Sequence, residues 1–221
     1  MKNLRLTALL VVLALLAASC ASRSEKLAEI MEKLEAGEIP EDVTVFSLDR
    51  AESTVAWEGT KVVGAHDGTV AVKEGELYVY DDVLLAGNIV MDMTQIVVLD
   101  LKDPGTNASL RRHLESDDFF SVADYPVSTF EIVRFEAIEG ADGERPSYRV
   151  FGNLTIKDIT HGISFDARIS RDGDAIRAYA DFDIDRTRWG IRFGSGRFFE
   201  NLGDNMISDL FNIQFDVVAR F

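Results

Sequence analysis

Between residues 54 and 219 the chain alternates apolar and polar residues in short runs separated by Gly, Asp and Asn, and this two-residue period constrains the fold more than any other feature. The runs cover residues 54–58, 68–72, 76–80, 87–93, 129–135, 148–156, 163–169, 178–184 and 211–219. Side chains of a strand point alternately to opposite faces, so runs of this kind predict half-buried strands of an antiparallel sheet. A sheet with this many strands leaves two unpaired edges unless it closes. The expectation is therefore an all-β fold, a closed antiparallel barrel of about eight strands.

Parity separates the two faces. In 148–156, Tyr148, Val150, Gly152, Leu154 and Ile156 share one face, and Arg149, Phe151, Asn153 and Thr155 share the other. The same reading aligns Ile163, Phe165, Ala167 and Ile169, then Ala178, Ala180, Phe182 and Ile184, then Phe211, Ile213, Phe215 and Val217. These faces are apolar and carry no acid. A barrel lined this way is either filled by its own side chains or occupied by something apolar. Residues 103–120 break the rhythm: Ala108, Leu110, Leu114 and His113 fall at helical spacing, which predicts a short helix across one end.

The rest of the composition excludes function classes. The 221 residues hold 38 Asp and Glu against 23 Lys and Arg, a formal charge of −15, which repels nucleic acid and anionic lipid alike. Yet 47% of residues are hydrophobic and 14 are Phe, so the chain is no disordered acidic tail. One cysteine excludes an internal disulfide framework. His66 in a Gly- and Asp-rich turn, His113 on the helix and His161 in a turn between strands share no metal-ligand spacing, so no metal is expected. No G-x-S-x-G elbow occurs, and Gly194-Ser195-Gly196 reads as a flexible turn. The acid pairs Asp81-Asp82, Asp117-Asp118 and Asp183/Asp185 are the expected background of an acidic protein. Asp185-Arg186, beside Thr187, Arg188 and Trp189, reads either as a fixed polar network at a barrel mouth or as a surface ion pair. No catalytic set emerges, and the chain is not expected to be an enzyme.

The N-terminus reads as an address. Lys2 and Arg5 precede an uncharged stretch of 13 residues from Leu6 to Ala18, too short for a permanent span and right for an export signal. Leu16-Ala17-Ala18-Ser19-Cys20 resembles the bacterial lipobox, which implies cleavage before Cys20 and lipidation of its thiol. Residues 1–19 are thus expected to be a lipoprotein signal, with the formal charge moving from −15 to −17 once Lys2 and Arg5 are gone. Ala21 resembles outer-membrane sorting, which implies an envelope lipoprotein facing the periplasm. Leu27, Ile30, Met31 and Leu34 lie at helical spacing between Ser24 and Gly37, predicting a spacer helix within residues 20–42. The barrel then spans 43–221.

Several stretches in order resemble the YceI-like family of polyisoprenoid-binding proteins: Asp49 to Trp57, Leu114 to Phe120 leading to Tyr125 to Phe130, Gly152 to His161, and Phe182 to Ile191. The resemblance covers nearly all of 43–221. It implies an eight-stranded, lipocalin-like barrel with a helical segment at one end, enclosing a hydrophobic tunnel for an isoprenoid quinone, a polyprenyl chain or another extended amphiphile. It implies no obligatory cofactor beyond such a bound lipid. The lipobox-like cysteine and the spacer, by which this chain departs from soluble members of the family, imply a membrane contact through the N-terminal anchor; the acidic charge implies no nucleic-acid partner, and a homodimer is one assembly open to the chain. Parity and the shared motifs nominate Val55, Trp57, Ile89, Met91, Phe119, Phe120, Phe130, Ile132, Leu154, Ile156, Phe165, Phe182, Trp189, Phe211 and Ile213 as the ligand-facing interior. Arg186 and Arg188, beside Trp189, are the candidate head-group contacts. The competing reading is a filled barrel that serves as an envelope protein–protein interaction module.

Overall fold

A computed structural model describes residues 26–141 and 143–221. The export-signal stretch, Cys20 and Ser24 lie outside the described residues. Among those described, the strands are β1 (Glu29–Met31), β2 (Thr44–Leu48), β3 (Thr54–Lys61), β4 (Ala65–Tyr80), β5 (Val83–Val98), β6 (Val127–Ala137), β7 (Tyr148–Ile156), β8 (Ile159–Asp172), β9 (Ala175–Asp185) and β10 (Ile207–Arg220), with one helix, α1 (Pro104–Glu115), between β5 and β6. Strands β3 to β10 pair in chain order, each antiparallel to the next, and β10 returns to pair with β3. The sheet closes into the expected eight-stranded barrel. The inward faces are those that parity selects: Val150, Leu154, Ile163, Phe165, Phe182, Ile184 and Phe215 are all buried.

Two bulges hide part of this pattern from a reading by parity. On β4, Val70 and Val72 face inward at even positions, but Leu77 and Val79 do so at odd ones, because the register with β5 slips between Val72 and Glu74. The runs 68–72 and 76–80 are therefore one 16-residue strand. On β5 the slip after Asp92 moves burial from Met91 and Met93 to Ile96 and Val98. One extra residue inverts the face of everything beyond it.

Two short strands complete the wall where neighbours part. Strand β3 starts at Thr54, and below it β2 takes over, pairing with β4 from Thr44 opposite Val79 to Ser47 opposite Glu76 and with β10 at Leu48 opposite Ala219. On the other side, β8 and β9 pair only from Ala167 opposite Ala180 to Asp172 opposite Ala175. Above that the two strands diverge, and β1 enters the gap. It pairs with β8 from Glu29 opposite Ser164 to Met31 opposite Gly162, while Ala28 N–H donates to Asp183 O at 2.9 Å and Asp183 N–H donates to Lys26 O at 2.8 Å.

The predicted spacer helix is thus overturned: residues 26–35 hold no helix but the strand β1 and a bridge from Leu27 to Asp183, with Ala28 buried and Leu27 half exposed. An isolated helix of a dozen residues is marginal in water, whereas the parted edges of β8 and β9 offer backbone donors and acceptors that need partners. Asn153, on the outward face of β7, holds the far end of the segment. Its Oδ1 accepts from Leu34 N–H at 2.8 Å, and its Nδ2 donates to Leu34 O at 2.9 Å and to Glu131 at 2.8 Å. This covering leaves the outward-facing Asn153, Ser164 and Asp183 buried.

Helix α1 starts on its own sequence. Asp103 accepts from Thr106 N–H at 2.9 Å as the N-cap, and Pro104 follows in the first turn, where its missing N–H costs nothing. Leu114 points into the barrel end. At 12 residues the helix is too short to cross a bilayer, and no helix among the described residues is long and apolar enough to do so.

Replacing Asn153 by Ala removes both bonds to Leu34 and leaves the half-buried backbone N–H and C=O of that residue without these partners. The expected result is a loss of about 1–3 kcal/mol in chemical denaturation, with faster amide exchange confined to residues 27–34 and their partners on β8.

Candidate functional site

At the end of the barrel that carries α1, the interior is not filled. A cavity of about 110 Å³ lies between β3, β5, β7, β9 and β10, beneath α1 and the segment after it, with walls that are almost wholly apolar. Its rim is marked by lining residues that are only partly buried, among them Gly59, Phe120, Ile207, Ser208, Leu210 and Phe211.

The rim owes its shape to a break in the ladder between β10 and β3. Ile207 lies opposite Lys61 and Phe211 opposite Gly59, so three residues of β10 face one of β3. A bulge of this size strands backbone carbonyls, and Arg186 collects them. Its Nε donates to Ser208 O at 2.8 Å, Nη2 to Ile207 O at 3.3 Å and Nη1 to Ile191 O at 2.9 Å. Burial draws the Arg186 guanidinium below its ordinary range, and Asp209 and Asp185 oppose that shift. Arg186 ties the loop after β9 to the mouth of the barrel.

Asp185 and Arg197 complete a polar rim. Thr187 donates to Asp185 Oδ1 from its hydroxyl at 2.6 Å and its N–H at 3.0 Å, Arg197 Nη1 reaches Asp185 Oδ2 at 2.7 Å, and Arg197 Nε reaches Asp209 at 2.9 Å. Burial alone would raise the Asp185 carboxyl. The Thr187 hydroxyl, Arg197 and the Thr187 N–H together outweigh it and hold the group below the ordinary carboxylate range. The network expected around Asp185 is present, and its further members, Arg197 and Asp209, come from a loop and a bulge that carry no motif.

Of the residues nominated from sequence, Val55, Trp57, Met91, Phe119, Phe120, Leu154, Ile156, Phe211 and Ile213 line this cavity together with Arg186. Ile89, Phe130, Ile132 and Phe165 line a second, smaller cavity of about 40 Å³ in the other half of the barrel. Phe182 and Trp189 are buried but line neither. Phe182 stacks on Phe165 with ring centroids 4.0 Å apart, and Trp189 donates its indole N–H to Leu154 O at 3.1 Å. Arg188 is exposed and lines neither cavity; its carbonyl accepts from His161 Nε2 at 3.1 Å. Sequence reasoning missed Ile96, hidden by the β5 bulge, and Ile191 and Ile207, which flank a loop without periodicity. It also left Phe215 out of the site although parity aligned it with Phe211 and Ile213, and Phe215 lines both cavities.

Among the described residues, two buried side-chain polar atoms have no hydrogen-bond partner: the Trp57 indole N–H, and Asp209 Oδ1, which lies 4.0 Å from Arg186 Nη2 as an ion pair. Trp57 crosses the wall where Gly68 leaves room, since a Cβ at Gly68 would stand 2.5 Å from the indole ring. His66 and His161 lie within strands rather than in turns, opposite Gly59 and Leu154, because each turn is tighter than its polar residues suggest. Gly194-Ser195-Gly196 lies in a turn with Gly194 and Ser195 buried and Gly196 exposed. Among the described residues no three His, Cys, Asp or Glu side chains gather to hold a metal.

The model of the YceI-like domain matches residues 46–219. The chain belongs to the YceI-like family. Two solved structures share the fold: BcnA of Burkholderia cenocepacia, 19% identical, covering 78% of this chain and 99% of that one with a TM-score of 0.60, and a polyisoprenoid binding domain from Saccharophagus degradans implicated in plant cell wall breakdown, 15% identical, covering 79% and 97% with a TM-score of 0.56. No curated protein sequence matches the chain. Strand β1 lies outside the stretch that the YceI-like model matches, so the segment filling the gap between β8 and β9 is an addition to the matched domain.

The lowered carboxyl of Asp185 fixes the sign of a pH effect. A group depressed in the folded state adds stability above its unfolded value, about 3.9, and loses it as pH falls through the folded value. Asp185→Asn is expected to lower stability by about 1–3 kcal/mol at pH 7. The gap between the two proteins should close as denaturation curves are taken below about pH 4.

Proposed function

We propose that this protein binds, stores or hands over a long hydrophobic amphiphile, such as an isoprenoid quinone or polyprenyl lipid, without covalent chemistry, from a lipid tether at Cys20 in the bacterial cell envelope. The observation that carries this reading is the apolar cavity inside a closed barrel of the YceI-like family, with a rim held open by the β10 bulge. The Saccharophagus domain of the same fold is described as polyisoprenoid binding, which supports the ligand class. Apolar burial stabilises a bound chain by about 25 cal/mol per Å², so no charged contact is required.

The tether reading gains geometry from β1. Leu27, where the chain joins the wall beside Asp183, lies only seven residue steps after Cys20. Fully extended, that length spans about 25 Å, so acylation of Cys20 would hold the β8 and β9 side of the barrel close to the bilayer. The reading places the protein on the outer membrane, facing the periplasm.

Native mass spectrometry of protein extracted from its own membranes tests both halves. The expected result is a diacylglyceryl mass on Cys20, lost in Cys20→Ser, and a co-purifying apolar lipid, lost in Ile207→Trp, which puts an indole at the rim. A barrel that is reproducibly empty in the unaltered protein, and that takes up no quinone or polyprenol on incubation, overturns the binding reading. Absence of the acyl mass overturns the tether.

A further inference from the structure

One edge of the barrel mouth keeps apolar side chains in water. Val62 and Val63, in the turn between β3 and β4, and Phe193, Phe198, Phe199 and Met206, in the loop between β9 and β10, are 38–71% exposed. Backbone bonds hold the two segments side by side: Val62 N–H donates to Met206 O at 3.2 Å, and Ile207 N–H to Gly194 O at 2.8 Å. The rings sit on a turn built around the fully buried Ser195. Phe198 and Phe199 each donate N–H to Ser195 O at 3.1 Å, and Arg197 N–H donates to Ser195 Oγ at 3.2 Å. Single exposed hydrophobic residues are ordinary, but six on two adjoining loops mark an interaction surface.

Charge decides what this edge meets. The chain carries −15 overall, yet residues 186–199 hold four arginines and no acid, and Lys61 precedes Val62. Arg188 and Arg192 are exposed, and the Arg192 guanidinium lies 4.6 Å over the Phe198 ring. Glu200 and Asp204 bound the stretch on its far side. The other end of the barrel exposes Tyr80, Val83 and Phe221 as well, but beside Asp81, Asp82 and Asp174. Rings interleaved with arginines suit the boundary of an anionic bilayer, where the rings enter the acyl region and the guanidinium groups stay at the phosphates. The tether reaches. Leu27 joins the wall beside Asp183, two residues before β9 ends at Asp185 on the rim, which is about 7 Å along a strand. The seven steps back to Cys20 span up to about 25 Å, enough for an anchor in a bilayer lying against the mouth.

We propose that the edge formed by residues 61–65 and 193–206 docks on an anionic phospholipid bilayer, so that the mouth of the cavity opens onto the membrane. This rests on the reading of a tethered lipid carrier and adds the surface through which the barrel meets its membrane.

The test uses protein isolated from its own membranes and reconstituted in vesicles of phosphatidylethanolamine and phosphatidylglycerol with brominated acyl chains, which quench tryptophan. Phe199→Trp should lose more emission than the unaltered protein, and Tyr80→Trp, at the other end, should not. Adding Phe198→Ser to Phe199→Trp should lower the ratio of docked to free mouth about tenfold, and the quenching with it. The unaltered protein has only Trp57 and Trp189, both buried, so its own quenching reports brominated lipid inside the barrel. In that protein, with no substitution, amide exchange at residues 61–65 and 193–206 should slow on the vesicles while residues 80–83 keep their rate. Quenching at position 199 no greater than at position 80, or exchange that changes at both ends alike or at neither, overturns docking even where lipid is found inside the barrel. Quenching at position 199 with an empty barrel supports docking and removes the lipid-binding reading instead.

Discussion

Closing a sheet on itself obliges each strand to find backbone partners on both sides along its whole length, since an unpaired N–H or C=O in a buried wall costs as much as a lost hydrogen bond. The chain meets this obligation unevenly. Strands β9 and β10 run together without a break from Asp185 opposite Leu210 to Ala175 opposite Arg220. Elsewhere two neighbours separate, and the gaps are taken by β2 below β3 and by β1 between β8 and β9. The second of these gives a few residues near the N-terminus a structural role out of proportion to their number. Any pull on the chain before Lys26 acts directly on the barrel wall.

The same obligation shapes the mouth. Where β10 bulges away from β3, the ladder cannot satisfy the carbonyls of Ile207 and Ser208, and the buried Arg186 does so instead. A guanidinium with donors in a fixed fork suits this task, and three carbonyls occupy it. Arg186 on the cavity wall is thus first a structural clamp. Asp185, Arg197 and Asp209 extend the clamp outward, holding the loop between β9 and β10 over the barrel end while the wall facing the cavity stays apolar.

The interior is packed at one height of the barrel and hollow at others. At the level of Phe130, Phe165, Phe182 and Phe215 the core is packed by aromatic rings, and on either side of that layer it is open. Large rings in mid-barrel supply much of the buried area that holds eight strands together, while toward the α1 end aromatic and aliphatic side chains line a space they do not fill. Packed and hollow regions alternate along the barrel axis.

Closure rests on β10 meeting β3 from the other end of the domain, but the period of two in residues 148–156, 163–169, 178–184 and 211–219 was sufficient by itself to determine strands and inward faces, because alternation in a strand is a local property. So was the capped helix after Asp103, whose start depends on Asp103, Pro104 and Thr106 alone. Tertiary structure decided what depends on partners distant in sequence. The i, i+3, i+4, i+7 spacing of Leu27, Ile30, Met31 and Leu34 pointed to a helix, but the parted edges of β8 and β9, more than 120 residues away, drew the segment into a strand. Arg186 and Arg188 look alike in the motif, yet one is buried against three carbonyls and the other faces solvent. Ile96 joined the cavity only because a bulge inverted its face. The division of the interior likewise needed four phenylalanines from four strands to arrive at one height, and that height is set by strand register, which alternation within a single strand does not encode.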